Sequence, residues 1–148
     1  MKAGAGIRAL LEHPLHPILA HFPVALLLAA PLAQAWHLYR GDAFSDQLQL
    51  VVLVVGLVMA LPAALAGSYD AWRNIFRPQQ AQAYNMAAAH VMAMVTALLI
   101  FCGALICLLK GQDGWALGLS VVGALSVTLG GFFGGSLVYL LGVGVRKP

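Results

Sequence analysis

Four long apolar stretches dominate this chain of 148 residues and constrain what it can fold into. Each has the roughly 20 apolar residues that a helix needs to cross about 30 Å of hydrocarbon. Hydrophobic residues make up 61% of the sequence and charged residues only 9%, which excludes an ordinary soluble domain. We predict a single transmembrane domain over residues 1–148, with spans at about 18–39, 48–67, 83–109 and 115–141.

The connections between these stretches are short, so neighbouring spans must run antiparallel. This predicts an all-α, up-down-up-down four-helix bundle. The two termini and the middle loop share one side, which carries six lysines and arginines, whereas the other side carries only Arg40 and Lys110. Basic residues favour the cytoplasmic side of short loops, so both termini are expected in the cytoplasm of a bacterial inner membrane. Topology accounts for the net charge of +3, and no nucleic-acid partner is expected beside the lipid bilayer.

Histidines near one end of the predicted bundle are the candidate functional residues. Ionisable side chains are costly in hydrocarbon, so a histidine at membrane depth is a functional-site hypothesis. The first span opens on His13, His16 and His21, each beside or near a proline, and His90 enters the third span from the same side. At about 1.5 Å per residue, His21 lies about 5 Å and His90 about 6–10 Å inside that side.

Two neutral imidazoles from different helices can take both axial positions of a b-type haem. We predict His21 and His90 as these ligands, and His16 as the substitute if the first helix begins earlier or bends differently. Arginines of the middle loop, Arg73 and Arg77, either meet the haem propionates or anchor the loop at the lipid headgroups. The expected reaction class is one-electron transfer with a quinone or a redox protein.

Glycines of the fourth span permit close approach either to a flat cofactor or to another helix. The predicted wall consists of Gly130, Gly131, Gly134 and Gly135. If the wall meets a helix, the chain is a structural or assembly subunit that docks a partner span or a second copy of itself.

Two further alternatives remain open for the histidines. A nitrogen-rich set of His13, His16 and His21 with Asp70 is suited to a non-haem zinc, copper or iron ion. Without any cofactor, His21 and His90 would hydrogen-bond each other or a carbonyl group. His37 lies about 24 Å from His21 and is expected at the opposite interface, so one chain holds at most one haem.

Other chemistry is not indicated by the sequence. A Cys-x-x-Cys-His pattern is absent, which excludes a covalently attached c-type haem, and Cys102 and Cys107 are expected to be packing residues. Neither a Ser/His/Asp order nor a Gly-x-Ser-x-Gly segment is present. An electron-transfer or scaffold subunit is therefore favoured over a stand-alone enzyme.

Three segments resemble one bacterial family of four-span membrane proteins. They are HPLHPILAHFP at 13–23, LPAALAG at 61–67, and GGSLVY at 134–139 with GVGV at 142–145. The family is catalogued as domain of unknown function twenty-two thirty-one. Some of its members join this module to Rieske-type iron–sulfur or cytochrome-like domains, so the resemblance implies a place in membrane redox chemistry. This chain has no such fused domain, and the resemblance then implies a separate redox partner.

Overall fold

The computed structural model of the chain describes residues 15–74 and 81–145. Within these ranges the chain forms four helices and no strand. They are α1 (Leu15–Arg40), α2 (Ala43–Asn74), α3 (Ala81–Leu109) and α4 (Asp113–Tyr139). All four are long and apolar enough to span a bilayer. The predicted all-α, four-span membrane bundle is confirmed, and the side on which the termini lie stays a prediction.

The first helix begins earlier than the hydropathy pattern suggests. Residue 18 is the predicted start of the span, but α1 begins at Leu15 and includes His16. Pro17 is compatible with this because it falls in the first turn, where backbone N–H groups have no intrahelical partner. The earlier start places His16 on a helix surface instead of in a loop.

The bundle consists of two helical hairpins. Helix α1 packs along α2, and α3 packs along α4, while α1 also contacts α4 across the hairpin interface. A turn with positive φ at Gly41 joins the first pair, and a similar turn at Gly111 joins the second. The core between the hairpins is apolar and includes Leu27, Leu53 and Phe101.

The second hairpin repeats the buried surface of the first. Positions on α1 and α3 correspond with a shift of 74 residues, because 27 matches 101 and 30 matches 104. Positions on α2 and α4 correspond with a shift of 67 residues, because 56 matches 123 and 63 matches 130. Every member of the following matched pairs is buried: Pro23 and Ala97, Leu27 and Phe101, Ala30 and Ala104, Leu53 and Ser120, Gly56 and Gly123, Ala60 and Val127, Ala63 and Gly130.

Contacts inside each hairpin repeat along with burial. A Cβ atom added at Gly56 would lie 2.9 Å from Leu27 Cδ2, and one added at Gly123 would lie 2.8 Å from Phe101 Cε2. Each hairpin therefore closes by placing a large apolar side chain over a glycine at the matched position. Both hairpins also begin from the same end of the bundle, as in membrane proteins built from parallel repeats about an axis along the membrane normal.

Candidate functional site

A pair of histidines, His16 and His90, lies at one end of the bundle where the two hairpins meet. Their ring centres are 6.0 Å apart, and the ring planes are inclined by 80°. The two residues occupy matched positions, because 16 and 90 are separated by the same 74 residues as the buried pairs of α1 and α3. Both are half-buried. We call this arrangement the paired-histidine site.

Each imidazole of the paired-histidine site is held by a backbone carbonyl of the other helix in its own hairpin. His16 Nδ1 lies 2.8 Å from the Ala63 carbonyl oxygen, and His90 Nδ1 lies 2.7 Å from the Gly130 carbonyl oxygen. A carbonyl oxygen can only accept a hydrogen bond, so Nδ1 carries the hydrogen in both rings. The neutral ring then has a lone pair on Nε2, which is the state in which imidazole binds a metal.

Two glycines make room for these rings. A Cβ atom at Gly67 would lie 2.8 Å from His16 Nδ1, and one at Gly134 would lie 3.0 Å from His90 Nδ1. Each glycine follows the accepting carbonyl by four residues, one helical turn. Histidine, carbonyl and glycine thus recur as one arrangement in both hairpins.

Asp70 adds a contact that the second hairpin lacks. Its Oδ2 atom accepts a hydrogen bond of 3.3 Å from the backbone N–H of His16. This N–H group belongs to the first turn of α1, where no intrahelical acceptor exists. Asp70 therefore ties the start of α1 to α2. The matched position on α4 is Leu137, which has no carboxylate.

His21 is exposed on α1 and is not the neighbour of His90. Its Nδ1 is hydrogen-bonded to the Pro17 carbonyl of its own helix. Five residues on a helix correspond to about 140° of rotation, so His16 and His21 cannot point to the same neighbour. The structure brings together His90 and the predicted substitute, His16, because α1 starts early enough to carry it.

The four glycines of the predicted wall on α4 do not all lie against the histidines. Among the four glycines of the predicted wall, Gly134 receives His90 and Gly130 receives Met94, whose Cε lies 2.9 Å from an added Cβ. Gly131 has no neighbour within 4 Å, and Gly135 has only the Tyr139 ring at 3.9 Å. Two of the glycines therefore accommodate α3 side chains, while Gly131 faces outwards.

The compact-ion alternative rests partly on residues outside the described ranges. His13, one of its predicted ligands, lies there. So does Arg77, one of the two arginines predicted to meet haem propionates, and the side chain of the other, Arg73, is likewise not described. Over residues 15–74 and 81–145, no group of three or more histidine, cysteine, aspartate or glutamate side chains is placed to hold a metal ion. Within those ranges, the paired-histidine site offers two imidazole ligands.

The family of the chain follows from a comparison with family models. The model described as Predicted membrane protein (DUF2231) matches residues 12–147. The chain belongs to this family. The match includes all four helices and both members of the paired-histidine site, and it confirms the family resemblance found in the sequence. No curated protein and no solved structure matches the chain. Because the family description gives a membrane location and no activity, function has to be argued from the site.

Proposed function

We propose that this DUF2231 protein is a small subunit of a bacterial inner membrane that holds one b-type haem iron between His16 and His90 and carries single electrons. The observation that supports the proposal is the pair of imidazoles with Nδ1 bonded to a carbonyl and Nε2 left as a free ligand atom. With both termini in the cytoplasm, the paired-histidine site lies toward the cytoplasmic face.

The separation of the rings is compatible with two ligands on one metal, as it is with a direct edge-to-face ring contact. A metal–imidazole bond is about 2.0–2.1 Å long and the ring centre lies about 1.1 Å beyond the nitrogen. Two imidazoles on opposite sides of one metal therefore have centres about 6.2 Å apart. The observed distance is 6.0 Å. Two ligand rings on one metal can have any angle between their planes, so the inclination of 80° is compatible with such a pair.

A haem iron suits a two-ligand site better than a bare ion. Protein zinc sites use three or four protein ligands, whereas a porphyrin brings its own four nitrogens and needs only axial ligands from the protein. The described residues supply two imidazoles and no third ligand. The bound haem would provide reversible one-electron exchange, and the protein would tune its potential through ligands and surroundings.

The residues of the chain have defined roles in this proposal. The Ala63 and Gly130 carbonyls fix the tautomer of each imidazole and increase the basicity of Nε2. Gly67 and Gly134 let the rings approach the helices closely. Asp70 holds the first turn of α1 and so positions His16. A separate redox protein or a quinone would exchange the electrons.

The deciding experiment is a dithionite-reduced minus air-oxidised visible spectrum of the detergent-purified full chain, with total metal analysis, after expression with adequate haem and iron. We expect near-stoichiometric low-spin b-type haem bands. His16→Ala and His90→Ala should each remove them, while the control His21→Ala should retain them. Loss of the bands in His21→Ala and retention in His16→Ala would restore the pair favoured by the sequence alone.

A sample with neither haem bands nor bound metal would refute the proposal and favour a structural or assembly subunit. One observation favours that second candidate: Gly131 opens onto the outer surface of α4 with no neighbouring atom within 4 Å. Such a notch permits close approach of a partner helix. Gly131→Leu should then abolish co-purification with a partner complex without any change in cofactor content.

A further inference from the structure

The two hairpins differ most at the end of the bundle opposite the paired-histidine site. Three polar residues of the first hairpin there match apolar or small residues of the second: Gln34 matches Leu108, His37 matches Gly111, and Gln49 matches Ala116. Aspartates, in contrast, occupy matched positions on α2 and α4, Asp46 and Asp113. The second hairpin packs its helices with Leu108 and Ala116 at two of these positions, so helix packing does not require Gln34 and Gln49.

His37 of α1 lies close to polar side chains of both α2 and α4 at this end of the bundle. Its Nδ1 is 3.1 Å from Ser45 Oγ. Its Nε2 is 4.0 Å from Asp46 Oδ1 on α2 and 3.9 Å from Asp113 Oδ2 on α4. The His37 side chain is only 16% exposed, so these groups make up much of its surroundings. Both distances are longer than a direct hydrogen bond and lie within the range of an ion pair with a protonated ring.

Hydrogen-bond directions assign the hydrogen on Nδ1. The Ser45 hydroxyl donates its single hydrogen to the Asp42 carbonyl oxygen at 2.9 Å. Ser45 Oγ must therefore accept from His37 Nδ1–H. The other ring nitrogen, Nε2, is nearest to two carboxylates, which only accept when ionised. This environment suits a ring that carries hydrogens on both nitrogens.

The charges at this end favour the same conclusion. Its charged residues are three aspartates, Asp42, Asp46 and Asp113, and two basic residues, Arg40 and Lys110. Arg40 is paired with Asp42 through a bond of 3.0 Å. The two aspartates that face His37 are then matched by Lys110 alone. A single additional positive charge would make this end neutral.

Buried amides beneath His37 give an independent indication of a bound molecule. Gln34 is completely buried one turn before His37, and neither its Oε1 nor its Nε2 has a partner. Gln49 is 2% exposed; its Nε2 donates to Asp46 at 3.2 Å, while its Oε1 has no partner. Contacts pair 37 with 45 and 27 with 56 across the hairpin, which places 34 and 49 at the same level. Buried amides without partners are normally satisfied by ordered water.

We propose that His37, Asp46, Asp113, Gln34 and Gln49 form a proton-binding site, hereafter the His37 site. A proton from bulk water binds Nε2 of His37, the two aspartates hold the resulting imidazolium, and water bound to the amides of Gln34 and Gln49 completes its hydrogen bonding. Because Asp113 belongs to the second hairpin and His37 to the first, the bound proton holds the hairpins together at this end.

The test is ¹⁵N spectroscopy of the histidine-labelled full chain in detergent at pH 7, with the His37 resonances assigned by their loss in His37→Asn. We expect both ring nitrogens of His37 to carry a proton in the wild type. In Asp46→Asn/Asp113→Asn, Nε2 should lose its proton while the resonances of exposed His21 stay unchanged. The wild-type spectrum is sufficient by itself if the double variant does not fold.

Three results would overturn the proposal. A singly protonated His37 in the wild type would show that no proton is bound, and an unchanged His37 in the double variant would show that the carboxylates do not hold it. Loss of the Nε2 proton on replacing choline chloride by sodium chloride, with saturation, would assign the site to sodium. A His37 spectrum that is the same in either salt supports the proton.

Discussion

Replacing Gly134 by alanine tests the arrangement on which the paired-histidine site depends. The added Cβ would lie 3.0 Å from His90 Nδ1 and 3.1 Å from its Cε1, where ordinary contacts begin at 3.4 Å. The imidazole must therefore retreat by several tenths of an ångström. Its hydrogen bond to the Gly130 carbonyl, now 2.7 Å long, is lengthened or lost.

The expected size of the effect combines three contributions. Overpacking costs about 1–3 kcal/mol, and loss of a hydrogen bond costs about 0.5–1.5 kcal/mol. Alanine in place of glycine within a helix recovers up to about 1 kcal/mol. We expect Gly134→Ala to lower the free energy of unfolding by about 1–3 kcal/mol.

The matched control is Gly118→Ala on the same helix, because an added Cβ there meets no atom within 4 Å. That change should leave stability unchanged or raise it by up to about 1 kcal/mol. Thermal unfolding of both variants in the same detergent, followed by circular dichroism, measures the difference. Equal stability of the two variants would refute the packing of His90 against Gly134. Haem content at the wild-type level in Gly134→Ala would show that cofactor binding does not depend on this packing.

Three further predictions concern the two ends of the bundle. Gly67→Ala should destabilise the chain as Gly134→Ala does, because its Cβ would lie 2.8 Å from His16 Nδ1; a neutral result in the same melting assay would contradict the repeat of the site. Asp70→Ala should accelerate hydrogen exchange at the His16 amide, and unchanged exchange would remove Asp70 as the anchor of α1. The Ser45 backbone N–H and, after it, Arg40 donate hydrogen bonds to the Asp42 carboxylate and hold its pKa below the usual value. The stabilising contribution of Asp42 is therefore present above its pKa in the unfolded chain and lost as pH falls through the lowered folded pKa. In a pH series of Ser45 amide exchange, the protection factor, which divides the intrinsic rate at each pH by the observed rate, should fall in acid, and in Asp42→Ala it should not vary with pH.

The number and approximate extent of the helices could be predicted because the length and apolar composition of a span are set by the bilayer itself. The ligand pair could not be chosen from hydropathy. His16 and His21 differ by only five residues, but that is about 140° of helix rotation. A shift of three residues in the start of α1 decides which histidine faces His90, and hydropathy does not locate a helix end that closely.

The repeat is also present in the sequence, but the two halves are not related by a single residue shift. Gly56, Ala63 and Gly67 have the spacing of Gly123, Gly130 and Gly134, and His16 precedes Leu27 by the same eleven residues that separate His90 from Phe101. The shift is 74 residues between α1 and α3 and 67 residues between α2 and α4, a difference of seven residues or about two helical turns. The turn between helices falls at a different level in each hairpin, so packing repeats while sequence distance does not.

The two proposed sites are separated along the same helix. His16 and His37 are 21 residues apart on α1, which corresponds to about 31 Å. Between them the hairpins meet through buried apolar side chains, among them Leu27, Leu53 and Phe101. Ser120 and Ser126 of α4 also lie between the two ends, but two hydroxyl groups do not form a continuous chain of hydrogen bonds over about 31 Å. Protonation at the His37 site should therefore leave the haem spectrum unchanged, and loss of His16 should leave the His37 resonances unchanged. A haem spectrum that changed in the Asp46→Asn/Asp113→Asn variant would contradict this separation.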